Sequence, residues 1–460
     1  MCSKDASKML HYVTPSLKVI GFDQLDPIYN RPDIVLDSIG KYFGGADEEL
    51  VANYRLAWEK RVEKLGLKRE LLATGEIAVP NAEIANAQQM EYENKDGKVI
   101  LHIKANDPKY ALQRYNVLVN EVPVYGSAGI SIAGLHTQTW ERTDTITLSK
   151  GRNKIQVSVM NELGLENFKY PTYVNYNHDD EVVSTTYFVG IGVDQFQQSD
   201  YNLDFCVKDV TDLAEALAAG KGKTDTLLHT NGELTRQNLL NLKSRQMQTT
   251  VNDKVIISCS SHGLIADNKD FYLATHDMDF ENPRSRGFSY EELESLLDGI
   301  PARQKLLLLD ACNSGEIYDD EPAPVPSNEN DNNPGDVQLH ADNVKTKGKQ
   351  YQVAGARQKK FIDLNEAFVN VLNNTGSVII SAAGGRQSAQ EGRGEVDGRR
   401  IENGAFTFSV LECLEQHKGK KLHVSTLKQY AERRVEEITN GEQKPTSRQE
   451  TMEVDFFIWE

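Results

Sequence analysis

From about residue 184 onward, short runs of continuously apolar residues alternate with segments of helical periodicity. The apolar runs include DKVIISCSSHG, KLLLLDAC and GSVIISAA, and the helical segments include VKDVTDLAEALAAG, YEELESLLDG and GAFTFSVLECLEQH. A strand that is apolar at nearly every position is typical of a sheet that is covered on both faces. We therefore predict an α/β domain over residues 181–460, with a mostly parallel sheet flanked by helices.

One long segment interrupts this alternation. Residues 316–360 are rich in Asp, Asn and Pro and poor in large apolar side chains. Such a composition cannot bury enough apolar surface to offset the entropy lost when the chain is ordered. We predict a flexible linker over 316–360, and a linker of this length inside a compact domain requires a functional reason.

The first 180 residues follow two other patterns. Within residues 1–80, the segment LVANYRLAWEKRVEKLG places its apolar side chains on one helical stripe, which predicts a small helical region. From about 97 to 176 the period changes to two, in VILHIKA, YNVLVNEVPVYG, DTITLSKG and NKIQVSVMNELG. Short strands at this spacing predict an immunoglobulin-like β-sandwich over residues 81–180.

Charge and cysteine usage exclude several classes of protein. The net charge of −17 disfavours nucleic acid as a partner and would attract basic substrates. The five cysteines form no Cys-x-x-Cys pair, and their odd number favours neither a disulfide framework nor a zinc site. No apolar run reaches the ~18–20 residues of a membrane helix, and the N-terminus lacks the apolar core of a signal peptide. We predict a cytoplasmic protein without a membrane partner.

Two of the predicted parallel strands end in reactive side chains. One strand ends in Cys259-Ser260-Ser261-His262-Gly263, and the other in Asp310-Ala311-Cys312-Asn313-Ser314-Gly315. Ligands of α/β sheets bind beyond the carboxyl ends of the strands, where neighbouring strands would bring Cys312 and His262 together. A thiolate beside an imidazole can attack a carbonyl and then protonate the leaving amine. The other cysteines within the strands and helices fit the simpler role of small buried apolar residues.

These two strand ends resemble the His-Gly and Asp-x-Cys-x-Ser-Gly motifs of the caspase-like cysteine peptidases, in particular their metacaspase and orthocaspase branch. The resemblance covers residues ~184–460, with His262 lying 50 residues before Cys312, as in caspases. The Gln-Ala-Cys-x-Gly motif of animal caspases is absent, and Asp310 stands where its glutamine would be. The resemblance implies that Cys312 is the nucleophile, that His262 is the acid and base, and that the N–H groups of Gly263 and Cys312 form the oxyanion hole.

The resemblance also implies a substrate pocket. In metacaspases the pocket for the residue before the scissile bond contains a cysteine, two aspartates and a serine, which correspond here to Cys206, Asp209, Asp310 and Ser260. Asp310 shares a strand face with Cys312, because they lie two residues apart. Two carboxylates in one semi-buried pocket require a cation between them, and the planar fork of arginine fits best. We expect cleavage after Arg, then Lys. As an alternative, Asp209 is a helix-surface acid and Asp310 a strand-end hydrogen-bond acceptor.

Caspase-like enzymes often carry a linker that is cut during maturation, which would explain residues 316–360. The basic residues available for self-cleavage are Lys345, Lys347, Lys349, Arg357, Lys359 and Lys360. The alternative is a flexible loop with an ordinary lysine content.

We expect no cofactor. Calcium, which many metacaspases need, would have Asp267, Asp270, Asp277 and Asp279 as ligands, but the dense acidic run of a calcium site is missing.

The front half resembles the segment that precedes caspase-like domains in long bacterial proteins, through YNRPDIVLDSIG and VNEVPVYGSAGI. The resemblance implies a module that recruits a regulatory protein partner or holds the peptidase inactive.

Two alternatives to a general peptidase stay open. One is a catalytically silent caspase-fold interaction module, although such a module would need neither Cys312 nor His262. The other is a highly selective protease with one partner protein as its substrate.

Overall fold

A computed structural model describes the chain over residues 11–13, 19–21, 23–25, 29–43, 48–64, 67, 70, 77–177, 184–266, 270–312, 344–346, 375–384, 387–449 and 454–459. Its contacts divide into two compact units. The first comprises Met1–Val182 and Ala367–Thr375, and the second comprises Val183–Glu366 and Gly376–Glu460. The division into regions 1–80, 81–180 and 181–460 stays a prediction.

The first unit contains two helices and eleven strands in its described residues. They are β1 (His11–Val13), β2 (Val19–Gly21), α1 (Pro32–Phe43), α2 (Glu48–Lys64), β3 (Asn81–Ile84), β4 (Glu93–Asn94), β5 (Lys98–Asn106), β6 (Leu112–Val119), β7 (Val122–Pro123), β8 (Ile130–Ser131), β9 (Thr139–Thr147), β10 (Gly151–Asn161) and β11 (Thr172–Tyr176). Short 3-10 helices lie at Asp23–Leu25, Ala87–Gln89 and Ala133–Leu135.

Two sheets of the first unit pack over one core. One has the order β4-β11-β10-β6-β7 with β8 also on β6, and the other has the order β3-β5-β9. Buried and exposed residues alternate strictly along β5, so Leu101 and Ile103 face inward and meet Tyr115 and Val157 of the larger sheet. The period of two in the sequence therefore reflects burial on one face of each strand. The immunoglobulin-like assignment stays a prediction.

A buried carboxylate joins the loop between β10 and β11 to β6 of the larger sheet in the first unit. Glu166 accepts from Arg114 Nη2 at 3.1 Å and lies 2.8 Å from Lys169 Nζ. Burial alone would raise the pKa of Glu166, but the two cations outweigh it and hold the pKa below its usual value of 4.5. This ion pair therefore stabilises the folded unit only while Glu166 is ionised.

The second unit contains seven helices and fourteen strands in its described residues. They are β12 (Thr185–Gly192), α3 (Cys206–Ala218), β13 (Lys223–Thr230), α4 (Arg236–Asn241), α5 (Lys243–Gln246), β14 (Lys254–Ser260), β15 (Gly263–Ile265), β16 (Phe271–Leu273), α6 (Pro283–Arg286), β17 (Phe288–Ser289), α7 (Tyr290–Leu297), β18 (Gln304–Asp310), β19 (Val344–Thr346), β20 (Val378–Ser381), β21 (Gln390–Val396), β22 (Arg399–Gly404), α8 (Ala405–Gln416), β23 (Leu422–His423), α9 (Val424–Ile438), β24 (Thr446–Gln449) and β25 (Phe457–Trp459). Two 3-10 helices lie at Ser199–Tyr201 and Asn231–Glu233.

A six-stranded sheet with the order β13-β12-β14-β18-β20-β24 forms the centre of the second unit. Neighbouring strands are parallel from β13 to β20, and only β24 runs antiparallel. Successive residues of β14 pack into two different apolar cores, one on each face of the sheet. Val255 and Ile257 pack with Leu293 and Leu296 of α7, whereas Ile256 lies in the core that contains α3, α8 and α9. The predicted mixed α/β domain with helices on both faces of a mostly parallel sheet is confirmed.

Three small sheets surround the central one. Their orders are β15-β16-β17, β19-β21-β22 and β23-β25. The chain leaves β12 for β13 on one side and then returns to β14 on the other, so the strand order reverses beside β12. Such a reversal opens a crevice at the carboxyl ends of the strands. Among the described helices, none is long and apolar enough to cross a membrane.

Candidate active site

The register of two central strands brings the predicted Cys–His pair together. β14 and β18 are parallel neighbours, with Ser260 opposite Asp310. His262 and Cys312 each lie two residues beyond this pair, so both follow the carboxyl edge of the sheet at the same level. The chain segments also touch, because a Cβ atom on Gly263 would lie 2.0 Å from the carbonyl oxygen of Cys312. Only glycine allows the backbones to approach this closely.

The imidazole of His262 is held by a backbone carbonyl and an aromatic cluster. Its Nε2 lies 2.7 Å from the carbonyl oxygen of Tyr201. A carbonyl only accepts hydrogen bonds, so Nε2 donates and the neutral ring carries its lone pair on Nδ1. The ring packs against Phe196 and Phe280, at centroid distances of 5.3 and 5.7 Å. These contacts fix both the tautomer and the orientation of the ring.

The thiol of Cys312 is enclosed by the segment that leads into β21. The backbone N–H of Ala389 donates to Cys312 Sγ at 3.1 Å, and Sγ lies 3.7 Å from the carbonyl oxygen of Ala389. An N–H group that points at sulfur stabilises the thiolate over the thiol. Cys312 is only 1% exposed and His262 5% exposed, so the pair is closed to solvent in this structure.

The four residues of the predicted pocket lie beside this pair, and all four are buried. Ser260 Oγ donates to Asp209 Oδ2 at 2.7 Å, which joins the first turns of α3 to the end of β14. Asp310 is the register partner of Ser260 and accepts from Thr407 Oγ1 at 2.7 Å. Cys206 begins α3, one turn before Asp209. The alternative in which Asp209 lies on the helix surface is wrong, because its side chain is fully buried.

Residues of the β21–β22 hairpin contact the residues of the predicted pocket, and sequence reasoning did not single them out. Asp209 Oδ1 accepts from Asn403 Nδ2 at 3.1 Å and from the Gly404 backbone N–H at 2.9 Å. Glu391 is fully buried, accepts from the Asp204 backbone N–H at 2.9 Å and lies 3.8 Å from Cys206 Sγ. A polar strand such as QEGRGEV carries no apolar signal, so nothing in the sequence marked Glu391 as a buried residue.

A buried arginine fixes the hairpin to the helices behind it. Arg434 of α9 donates from Nε to Glu412 Oε2 at 2.7 Å and from Nη2 to Asp397 Oδ2 at 2.5 Å. Asp397 lies in the turn between β21 and β22. The geometry of the pocket therefore depends on an ion pair that lies outside it.

Two other buried cysteines, Cys259 and Cys413, have surroundings that disfavour a thiolate. Burial raises the pKa of the Cys259 thiol, and burial together with Glu412 raises the pKa of Cys413 to about 12. Such thiols stay protonated and unreactive at neutral pH. Their interpretation as small apolar residues agrees with this environment.

Two further predictions concern an oxyanion hole and a calcium site. Gly263 and Cys312 meet at the strand ends, and their role as an oxyanion hole stays a prediction. Among the described residues, no group of three or more His, Cys, Asp or Glu side chains could hold a metal ion. Asp279 instead accepts from the backbone N–H of Glu281 at 3.1 Å, and Asp267 lies outside the described residues.

A short strand lies within the predicted linker. Val344–Thr346 forms β19, which pairs antiparallel with β21. The flexible linker over 316–360 stays a prediction, and within it Lys345 lies in the strand that pairs with β21. The other predicted cleavage residues, Lys347, Lys349, Arg357, Lys359 and Lys360, lie outside the described residues.

Comparison with known proteins adds an independent observation. The family model of the caspase domain matches residues 189–457. A solved structure, protein GSU0716 from Geobacter sulfurreducens, is 17% identical, with a TM-score of 0.37 over 57% of this chain and 92% of its own. The fibronectin(III)-like modules of CbhA from Clostridium thermocellum are 10% identical, with a TM-score of 0.17 over 23% of this chain and 52% of their own. No curated protein matches. Since the caspase-domain match spans more than half of the chain, this protein belongs to the caspase-domain family of cysteine peptidases.

Proposed function

We propose that this protein is a cysteine endopeptidase of the metacaspase and orthocaspase type that cuts after arginine and, less readily, after lysine. The observation that carries the proposal is the arrangement at the carboxyl edge of the sheet. Cys312 and His262 follow paired positions of β14 and β18, and the buried carboxylates of Asp209 and Asp310 lie directly beside them. The proposed nucleophile, base and acidic pocket thus lie together at the carboxyl edge of the central sheet.

The chemistry follows from the tautomer of His262. Its Nδ1 takes the proton of Cys312, and the thiolate attacks the carbonyl carbon of the scissile bond. The tetrahedral intermediate collapses as the C–N bond breaks, and the imidazolium returns the proton to the leaving amine. Water then attacks the thioester with His262 as base, which releases the new carboxyl group and restores the thiol. The proposed oxyanion hole uses the backbone N–H groups of Gly263 and Cys312.

The preference for a basic residue follows from two buried acids. Hydrogen bonds from Ser260 and Asn403 orient Asp209, and one from Thr407 orients Asp310. Both carboxylates are therefore placed before a substrate arrives. A guanidinium can bind two carboxylates through its planar fork, whereas an ammonium acts as a single point charge. An aspartate in the same pocket would be repelled.

A closed zymogen agrees with the burial of the catalytic pair. A substrate carbonyl can reach Cys312 only if the Ala389 segment moves, since its N–H group bonds the sulfur at 3.1 Å. We propose that cleavage within 316–360 permits the Ala389 segment to move. A regulatory protein partner that binds the front half would control when this cleavage happens.

The experiment is hydrolysis of fluorogenic peptides with Arg, Lys or Asp before the scissile bond. We expect the wild type to cleave Arg peptides fastest, then Lys peptides, and Cys312→Ala to be inactive. Cys259→Ala is the matched control, because it removes a buried thiol of the neighbouring strand and should retain activity. Equal cleavage by Cys312→Ala and wild type would refute the mechanism, and preference for Asp would refute the pocket.

The low exposure of Cys312 also favours a second candidate, a highly selective protease. Such an enzyme would open only on one partner protein and would leave small peptides intact. A catalytically silent caspase-fold module would cut neither peptides nor a partner. Turnover of a protein substrate without turnover of peptides therefore separates the selective protease from both other functions.

A further inference from the structure

The N-terminal part of the first unit exposes a concentrated set of apolar side chains. Of the seventeen large apolar residues that are exposed among the described residues, eight lie between Tyr12 and Tyr42. Single exposed apolar residues are ordinary on a soluble protein, whereas a concentrated set marks an interaction surface. Four of the eight lie on α1, and they are Ile34, Val35, Ile39 and Tyr42.

The two sides of α1 have different surroundings. Asp33 is buried and contacts α2, where its Oδ2 lies 3.8 Å from Arg55 Nε. The half-buried Leu36 and Gly40 share this side of the helix, because successive residues are rotated by about 100°. The four exposed apolar residues lie on the opposite side, within an arc of about 140°. We call these four residues the apolar stripe.

A charged pair borders the apolar stripe on one flank. Lys41 Nζ lies 2.6 Å from Asp37 Oδ2, one helical turn away, and both side chains are exposed to solvent by more than a third. Helical geometry places this pair next to Ile34, whereas Ile39 lies on the other flank. Asp37 precedes Ile39 by two residues and Lys41 follows it by two. The charges are therefore of opposite sign and equally spaced about Ile39.

We propose that the apolar stripe of α1 pairs with the same stripe of a second copy of this chain, with the two helices antiparallel and the two-fold axis at the level of Ile39. Such an axis reverses the direction of the second helix and keeps each flank on its own side, so the contacts are reciprocal. Asp37 of each copy then lies opposite Lys41 of the other, and the two Ile39 side chains meet.

The apolar residues fit the same register. Reflection about Ile39 places Tyr42 of one copy at the level of residue 36 of the other, which is about 1.5 Å along the axis from Val35. Tyr42 is 87% exposed and is the largest side chain of the stripe. In this register its ring covers the smaller apolar side chain of the second copy at both ends of the pair.

Parallel pairing of the two stripes is disfavoured by charge. A two-fold axis along the helices would place the charged flank of one copy against the Ile39 flank of the other. Asp37 and Lys41 would then lose water without gaining new partners. A stripe of four residues is also small beside the about 20–30 residues per partner of a standard interface, so we expect a dimer that dissociates on dilution.

The first test is sedimentation equilibrium of the full chain over about 1–300 μM, a range that detects weak dimers. Ile39→Lys places two ammonium groups at the axis and should weaken the dimer at least about tenfold. The matched control is Ile100→Lys, at a residue of β5 that is 53% exposed, and it should dimerise like the wild type. Thermal unfolding shows whether each variant is folded. A wild type that stays monomeric would assign the stripe to a different protein and overturn the proposal, as would an unaffected Ile39→Lys dimer.

The second test exchanges the charges. Asp37→Lys alone, or Lys41→Asp alone, places like charges opposite each other across the axis and should weaken the dimer about tenfold. The double variant Asp37→Lys/Lys41→Asp restores opposite charges and should dimerise within about twofold of the wild type. Arg433→Glu is the control, because it disrupts an exposed ion pair of the same spacing on α9 and should not affect the dimer. Failure of the double variant to restore the dimer would overturn the antiparallel register.

This inference is independent of the proposed peptidase function. Cys312→Ala should dimerise like the wild type, since every residue of the proposed interface lies on α1. A dimer that cleaves no peptide would refute the peptidase function and leave the interface standing. A monomer that cleaves Arg peptides would do the reverse.

Discussion

Replacement of Gly263 by alanine tests the closeness of the two strand ends. The added Cβ would lie 2.0 Å from the Cys312 carbonyl oxygen and 2.6 Å from the ring of Phe271. Real Cβ atoms do not approach other heavy atoms below 3.0 Å, so the segments of His262 and Cys312 must separate by about 1 Å. Overpacking of this kind costs about 1–3 kcal/mol of stability.

The effect on catalysis should be larger than the effect on stability. A misplacement of about 1 Å between reacting groups can reduce the rate about 100-fold. We therefore expect Gly263→Ala to fold, with a lower melting temperature, and to lose about two orders of magnitude in kcat on the Arg peptide. Circular dichroism melts and initial-rate kinetics on the same preparation give the two quantities.

The control for Gly263→Ala is Gly232→Ala in the same unit. No heavy atom lies within 4 Å of a Cβ at Gly232, so stability should change by less than ~0.5 kcal/mol and kcat should not change. If Gly263→Ala kept the wild-type kcat and melting temperature, the strand ends would not be in the contact described, and the juxtaposition of the catalytic pair would be refuted.

Three further predictions concern charges. Asp310→Asn should lower kcat/KM for Arg peptides about 10- to 100-fold and leave cleavage of neutral peptides less affected, because one charge-assisted bond is lost; an equal loss for both would contradict a role in specificity. Arg434→Met should cost at most about 3–5 kcal/mol in urea unfolding, because the buried Glu412 loses the cation at 2.7 Å and keeps only Arg399, at 3.9 Å, whereas Arg433→Met, at 68% exposure, should change stability by under ~0.5 kcal/mol. Glu166→Gln should flatten the loss of stability in acid: the pKa of this carboxyl is lowered in the folded state, so its contribution is present above the unfolded pKa near 4.5 and disappears as pH falls through the folded pKa. If Glu166→Gln lost stability in acid with the same pH dependence as the wild type, the lowered pKa of Glu166 would be contradicted.

The central strands and their ends were predictable because burial restricts their sequences. All seven residues of β14 are buried, and its apolar run Val255–Ile257 is typical of a strand that is covered on both faces. Parallel strands also end at one edge of the sheet, so Cys312 and His262 could be placed together without knowing their distance. The predicted helix near residues 50–66 corresponds to Glu48–Lys64, since its stripe includes the buried Ala57 and Val62.

Strands at the periphery could not be predicted in the same way. β24 has the sequence TSRQ and pairs with β20 as the antiparallel edge of the sheet. β21 and β22 form a hairpin whose sequences, QEGRGEV and RRIENG, are mainly polar. An edge strand has one unpaired side, and the strands of a small peripheral sheet are only partly buried, so neither apolar runs nor a strict period of two are required. Glu391 and Asn403, which contact Cys206 and Asp209, were missed because they lie on this hairpin.

The chain order of the site explains how a cut in the linker can leave it intact. Cys312, His262, Asp209 and Asp310 precede residues 316–360, whereas the hairpin and α8 follow them. β18 and β20 are nonetheless paired directly through four residue pairs, and Ala382 donates to the Leu309 carbonyl oxygen at 2.8 Å. Thr407 likewise bonds Asp310 across the same boundary at 2.7 Å. Hydrogen bonds and the apolar core, not the linker, therefore hold the two halves together. A cut in the linker would remove a covalent connection but none of these contacts, so both fragments should elute together in gel filtration and separate only in denaturant.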